Sequence, residues 1–278
     1  MNPRLLGLCA GVSALLAAPT AVFAHDDDEE EIPFDVAEVF FELNDTDGDL
    51  GIHALIDGDA WKRLRIEDKN ERRLLSVKVR GRLRRQGLTE IFFESAEPTF
   101  DELPAPTFFS RFPEGTYEIS GRTLEGDELK SETEITHRMP APPNPTVNGV
   151  QFATHCDDED NGYEPTKVSG VVVIAWDEVS LTHPNLGSPQ GSTDITIVNY
   201  EVVVEAELGT ADDEEEEEEE EEEFVSIFSV ILPPDVTRMT IPAEFLAQTD
   251  MFKYEVLARE ESWNQTAIES CFHFEEGG

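Results

Sequence analysis

The sharpest ion-ligand motif in the chain is the run Asn44-Asp45-Thr46-Asp47-Gly48-Asp49-Leu50-Gly51-Ile52. Carboxylates at alternate positions suit a hard cation, since Ca2+ takes roughly six to eight oxygens at about 2.3–2.6 Å and tolerates irregular loops. Asp45, Asp47, Asp49 and Gly51 would begin such a shell, and Asp57 just beyond would close it. The helix-flanked form of the loop is excluded, because Leu50 stands where its glycine is required and Ile56 where its bidentate glutamate belongs. A second reading stays open: Asp47-Gly48 is the tight turn of a β-hairpin with solvated acids around it. Calcium is the one cofactor these residues imply.

Charge is laid out in blocks. The chain has 61 Asp and Glu against 20 Lys and Arg, a formal charge of −41, which argues against nucleic acid or an anionic membrane surface as partner. Acids run together at Asp26 to Glu31, Asp157 to Asp160 and Asp212 to Glu223, and blocks of like charge repel themselves and do not fold. The cations are gathered too: Lys62, Arg63, Arg65, Lys69, Arg72, Arg73, Lys78, Arg80, Arg82, Arg84 and Arg85 are eleven of the 20. Arg63, Arg65, Arg72, Arg73, Arg80, Arg82, Arg84 and Arg85 could form a docking patch for a polyanion, the chain's own acidic loop included, which would allow self-association. Alternation with Leu75, Val77, Val79 and Leu83 gives the plainer reading of an outward strand face. A nucleophile elbow, a phosphate-binding glycine loop, a His-Glu-x-x-His pair and paired cysteine motifs are all missing from the sequence, so no enzyme is expected.

One cation, Arg4, precedes an apolar run that ends at Val22-Phe23-Ala24, followed at once by acids. Small residues at the −3 and −1 positions make residues 1–24 a cleavable signal peptide. The mature chain is then expected outside the cytoplasm, periplasmic, secreted or at the cell surface, without membrane insertion, because no later apolar run approaches about 20 residues. Removal of Cys9 leaves Cys156 and Cys271, which in an oxidising compartment can form one bridge.

The elements that must position these residues are short β-type runs between turn signals. Val39 to Leu43, Ile52 to Ile56, Leu74 to Leu83 and Glu90 to Phe93 read as strands, and Gly115 to Thr123 with Leu129 to Thr136 as a hairpin. A helical turn near Phe100 to Phe109 is limited by Pro104 and Pro106. Met139-Pro140-Ala141-Pro142-Pro143-Asn144-Pro145 has the composition of a stiff extended connector. Beyond it, Val171 to Trp176, Val198 to Glu207, Phe224 to Leu232, Met239 to Phe245, Met251 to Ala258 and Thr266 to Phe274 follow at the even spacing of a β-sandwich.

Trp176 closing what would be the second strand of a sandwich, Tyr200-Glu201-Val202-Val203-Val204 as its third, and Leu246 six residues before Phe252 resemble the fibronectin type III family. The resemblance continues through Tyr254 to Ala258, and it implies a seven-stranded sandwich with Trp176, Leu246, Phe252 and Tyr254 in its core. Phe252 departs from the pattern, since a tyrosine usually ties down that corner by its hydroxyl. The whole chain resembles uncharacterised bacterial exported proteins that carry such a module.

The expectation is therefore an all-β chain of two sandwich domains. Residues 1–24 are the signal peptide, 25–31 an acidic disordered tail, 32–138 the first domain, 139–145 the linker, and 146–276 the fibronectin type III-like domain with acidic loop 210–223. Its expected function is non-catalytic binding, adhesion or scaffolding in the cell envelope or outside, toward a protein or surface polymer. Divalent-cation buffering, or an accessory part in an extracellular hydrolase system, are the other readings.

Overall fold

The computed structural model describes residues 31–151, 165–187, 192–208 and 224–275. The expected signal peptide, the acidic tail except Glu31, Cys156, Asp157 to Asp160 and loop 210–223 lie outside the described residues.

The chain is all-β. In its first half run β1 (Val36–Asn44), β2 (Asp49–Asp68), β3 (Arg73–Lys78), a 3-10 turn at Leu83–Arg85, β4 (Leu88–Glu94), helix α1 (Ala105–Arg111), β5 (Gly115–Thr123) and β6 (Glu128–Ile135). In the second half run β7 (Thr146–Val147), β8 (Val150–Gln151), β9 (Thr166–Ser169), β10 (Val173–Ala175), β11 (Ile197–Leu208), β12 (Phe224–Leu232), β13 (Arg238–Thr240), the short helix α2 (Ala243–Leu246), β14 (Met251–Glu260) and β15 (Gln265–Glu275). No helix among the described residues is long and apolar enough to cross a membrane.

β2 organises the first half. Its 20 residues were expected as a short strand ending before Asp57-Gly58-Asp59, yet the strand continues through that polar stretch. Its neighbours change there: β1 and β4 flank Asp49 to Asp57, and β5 and β3 flank Arg63 to Asp68, with register shifts between. Gly58 sits at the bend, where a Cβ would stand 3.1 Å from the Phe34 ring. The sheet therefore curls about β2 and makes both layers itself. Ile32, ahead of β1, closes the curl by bridging to Leu129 of β6. Inside lie Phe41, Ile56, Trp61, Leu64, Ile66, Ile119 and Leu129, all fully buried. Removing such side chains from water stabilises the fold by about 1.5–3 kcal/mol each. Helix α1 starts at its prolines, with Pro104 before the first helical residue and Pro106 in the first turn, where a missing N–H is harmless. It delivers Phe108 and Phe109 edge-on to Phe41, the latter at 5.3 Å.

The second half packs two sheets face to face. The order β13-β10-β7-β8 lies on one side and β12-β11-β14-β15 on the other, with β9 added parallel to the end of β15. Trp176, Tyr200, Val202, Val204, Leu246, Phe252, Tyr254, Val256 and Phe272 fill the space between. Phe252 stacks on Phe272 at 5.0 Å and 14°, with Phe245 at 5.8 Å. The expected run Met239 to Phe245 is a strand for three residues only; Pro242 then opens α2, whose Leu246 is buried.

The two cores share one sheet. β1 pairs in parallel with β15, Glu42 to Asn44 against Gln265 to Ala267, so eleven strands are continuous across both halves. Asn264 pins this seam. Its Oδ1 accepts Phe41 N–H at 2.9 Å, while its Nδ2 donates to Thr136 O at 3.0 Å and Arg138 O at 3.1 Å. Thr266 Oγ1 donates to Pro140 O at 2.8 Å. The proline-rich segment 139–145 is thus built into the fold: Met139 is fully buried in the first core and Ala141 packs on the second.

Candidate functional site

The acidic run is a hairpin turn. β1 and β2 pair without interruption to Asn44 and Asp49, and Gly48, at φ +71°, donates its N–H to Asn44 O at 2.9 Å. Asn44 Oδ1 accepts the Thr46 and Asp47 N–H groups at 3.0 and 3.3 Å, so its side chain shapes the turn. Asp45 Oδ1 and His183 Nε2 lie 3.1 Å apart. Asp57, expected to complete the shell, lies eight residues along an extended strand, about 26 Å from Asp49 at ~3.3 Å per residue. Its Oδ1 accepts Gly58 N–H at 2.9 Å instead. The turn that would have brought Asp57 back does not occur, because β2 bends and does not reverse. Among the described residues no group of three His, Cys, Asp or Glu is arranged to hold a metal.

What gathers around Asp49 was not foreseen. Asp49 Oδ1 is buried without a hydrogen bond. Its carboxyl is pushed up to about 6 by burial, then by Glu97, Asp47 and Glu42. Glu97 lies over Gly51, where any Cβ would collide with it, and its Oε1 is 2.8 Å from His53 Nε2. Burial opposes charge on His53, but the Glu97 bond and the charges of Glu42, Glu97 and Glu94 outweigh it and raise its pKa. Across the seam, Glu269 is raised to about 7 by burial, then by Asp47 and Asp49. It faces Glu255 directly across β14 and β15, and burial, then the charges of Glu42 and Glu269, hold Glu255 well above the usual carboxylate range. This acidic cluster draws on β1, β2, β14 and β15 and spans more than 200 residues of sequence. Only the β1–β15 pairing assembles it.

No protein-family model matches the chain, and no curated protein does. Among solved structures the chain is similar to a 1.5-MDa bacterial ice-binding adhesin, at 12% identity over 88% of this chain and 66% of that one, TM-score 0.23. A Ca2+-stabilised adhesin of an Antarctic bacterium follows at 11%, 87% and 50%, TM-score 0.24. The human OSCAR ligand-binding domain stands at 9%, 85% and 97%, TM-score 0.24. The chain thus spans 66% and 50% of the lengths of those two adhesin chains. Likeness this distant supports nothing about partner or metal.

The basic residues separate into two groups. All eight arginines of the expected patch are exposed. Arg72 and Arg73 are neutralised at once, Arg72 by Asp68 at 2.9 Å and Arg73 by Glu67 at 2.9 Å. Arg80 and Arg82 follow β3, which ends at Lys78 and not at the expected Leu83, Arg84 and Arg85 lie in the 3-10 turn, and Arg63 and Arg65 project from β2. Cys271 is buried on β15, whereas Cys156 lies outside the described residues.

The ends of the long sheet differ in kind. β6, at one end, carries Glu128, Lys130, Glu132 and Glu134 and is covered in part by Ile32. Charge and cover are how natural edges avoid adding a strand. β12, at the other end, reads Phe-Val-Ser-Ile-Phe-Ser-Val-Ile-Leu, without one ionisable residue, and among the described residues pairs only with β11. Ile227 and Ile231 are 61% and 63% exposed. That Phe224 to Leu232 is a strand was visible in the sequence; that this strand is terminal in the sheet was not.

Proposed function

We propose that this is an exported, non-catalytic binding protein whose fused β scaffold receives a partner's extended segment along the free edge of β12. The observation that carries this reading is the uncharged nine-residue edge with Ile227 and Ile231 turned outward. Such an edge supplies main-chain hydrogen bonds for affinity and alternate side chains for specificity. The twelve acids from Asp212 to Glu223 directly precede Phe224 in the chain, so the favoured partner carries Lys or Arg beside an alternating apolar run. The same acids would discourage a second copy from pairing edge to edge. In the second half, four strands facing four, with Trp176, Leu246, Phe252 and Tyr254 inside, support a fibronectin type III-like module, with domain limits near 32–138 and 146–276. Export rests on residues 1–24, and a Cys156–Cys271 bridge fits it.

The test is fluorescence anisotropy with a labelled peptide of alternating Val and Thr flanked by Lys. Saturable binding that is lost in the Ile227→Ser, Ile231→Ser double variant is expected. Equal binding by the variant would remove β12 from the account.

A second reading, weak divalent-cation uptake at the Asp45–Asp49 hairpin, is favoured by the carboxylates of Glu97, Asp47 and Glu42, which add to burial in raising Asp49 to about 6 and whose repulsion a cation would relieve.

A further inference from the structure

Three cations stand in one row across three adjacent strands. The β2–β3 register sets Arg63 opposite Lys78, and the β2–β5 register sets it opposite Arg122. Residues directly opposite share a face of the sheet at a strand spacing of about 4.8 Å. Like charges so placed weaken the ladder. Lys62 and Arg84 reach the same place, and the five basic side chains line one cleft of about 280 Å³. Among the described residues no carboxylate lines this cleft, in a chain with three times as many acids as bases.

The chain neutralises other cations of this segment, as Arg72 and Arg73 illustrate. Here it holds two at the rim and leaves three open. Lys62 Nζ donates to Leu124 O at 3.1 Å, and Arg122 donates to Gly126 O at 3.0 Å and pairs with Glu128 at 3.2 Å. Among the described residues, Arg63, Lys78 and Arg84 have no carboxylate within ion-pair distance.

We infer that this cleft binds a tetrahedral oxyanion, the phosphate or sulfate group of a phosphorylated or sulfated ligand. Guanidinium forks match such oxygens in pairs. Donors converging from β2, β3, β5 and the 3-10 turn suit a group with three or more acceptors pointing apart, whereas a carboxylate offers two oxygens in one plane. The cleft is slightly smaller than the ~300–1,000 Å³ common for ligand pockets, enough for the oxyanion and the group that carries it. This site is independent of the β12 edge.

Calorimetric titration of the full chain with sodium phosphate and sodium sulfate, at ionic strength matched with sodium chloride, tests it. Saturable binding of both is expected, weakened about tenfold or more by Arg63→Gln and by Arg84→Gln, since a charge-assisted bond contributes about 1.5–3 kcal/mol. Arg65→Gln, exposed on the same strand but outside the cleft, should leave it unchanged. A sulfated polysaccharide binding far more tightly than free sulfate, through the same two arginines, would place the group on a polymer; equal binding per sulfate would mean a free anion is taken. Acetate binding as well as phosphate, chloride reproducing the signal, or Arg65→Gln weakening binding as much as Arg63→Gln would each overturn the inference.

Discussion

Asp49 and Glu269 contribute to the pH response of the fold, beside Glu38, Glu42, Glu255 and Glu260, which burial also raises. Burial and neighbouring carboxylates raise Asp49 from 3.8 to about 6 and Glu269 from 4.5 to about 7, so the native state binds their protons more tightly than the unfolded chain does. Their stabilisation is complete below the unfolded values near 4 and is lost as pH rises through about 6 and 7. The melting temperature should therefore fall between pH 5 and pH 8. Asp49→Asn with Glu269→Gln should recover roughly 2–4 °C at pH 8, on the order of 1 kcal/mol after solvent screening, and little at pH 5. An unchanged pH slope in the double variant would assign the effect to overall repulsion. The same residues bear on calcium. Millimolar Ca2+ should raise the melting temperature at pH 8, and more than Mg2+ if the hairpin chelates it; equal effects of the two ions, unaltered by Asp45→Ala with Asp47→Ala, would reduce uptake to screening. Asp45, Asp47 and Asp49 were legible as a cluster because they are local. Glu97, His53 and Glu269 were not, because strand pairing supplies them from afar.

At the scale of elements, the sequence told most where one face of a strand is wet and the other dry. β1, β4, β5, β6, β11, β12, β14 and β15 lie where the short β-type runs between turn signals place them. The misses have physical causes. Asp57-Gly58-Asp59 carries turn chemistry but serves as a bend, since β2 exchanges both neighbours there. Prolines that break a helix interior instead begin α1 and α2. The position of Phe252 is held by Phe272 and Phe245, while a hydroxyl tie of the kind it lacks occurs in the first half, where Tyr117 donates to Pro113 O at 2.9 Å. The proposed cysteine bridge belongs to this scale. Intact mass under non-reducing conditions should be two hydrogens below the reduced value, and Cys271→Ser should cost about 2–4 kcal/mol. An unchanged mass on reduction would leave two thiols.

For the whole molecule, the seam decides whether two cores behave as one. Asn264 joins Phe41, Thr136 and Arg138, and its loss strands buried donors and acceptors that cost about 1–3 kcal/mol each. Asn264→Ala should lower the melting temperature by roughly 5–15 °C, within a single calorimetric transition. Two transitions in the wild type, with only one moved by the variant, would mean independently folding halves. The sequence could not foretell this, since the seam joins residues 223 apart. Among the described residues the fused sheet also leaves two ends to compare: β6, charged and covered, and β12, neutral and paired on one side. Hydrogen exchange of the full chain with and without the Lys-flanked peptide tests the central claim most directly. The account predicts that β12 amides slow by about tenfold or more while β6 amides do not change. Unchanged exchange in β12, or equal slowing at β6, would contradict it.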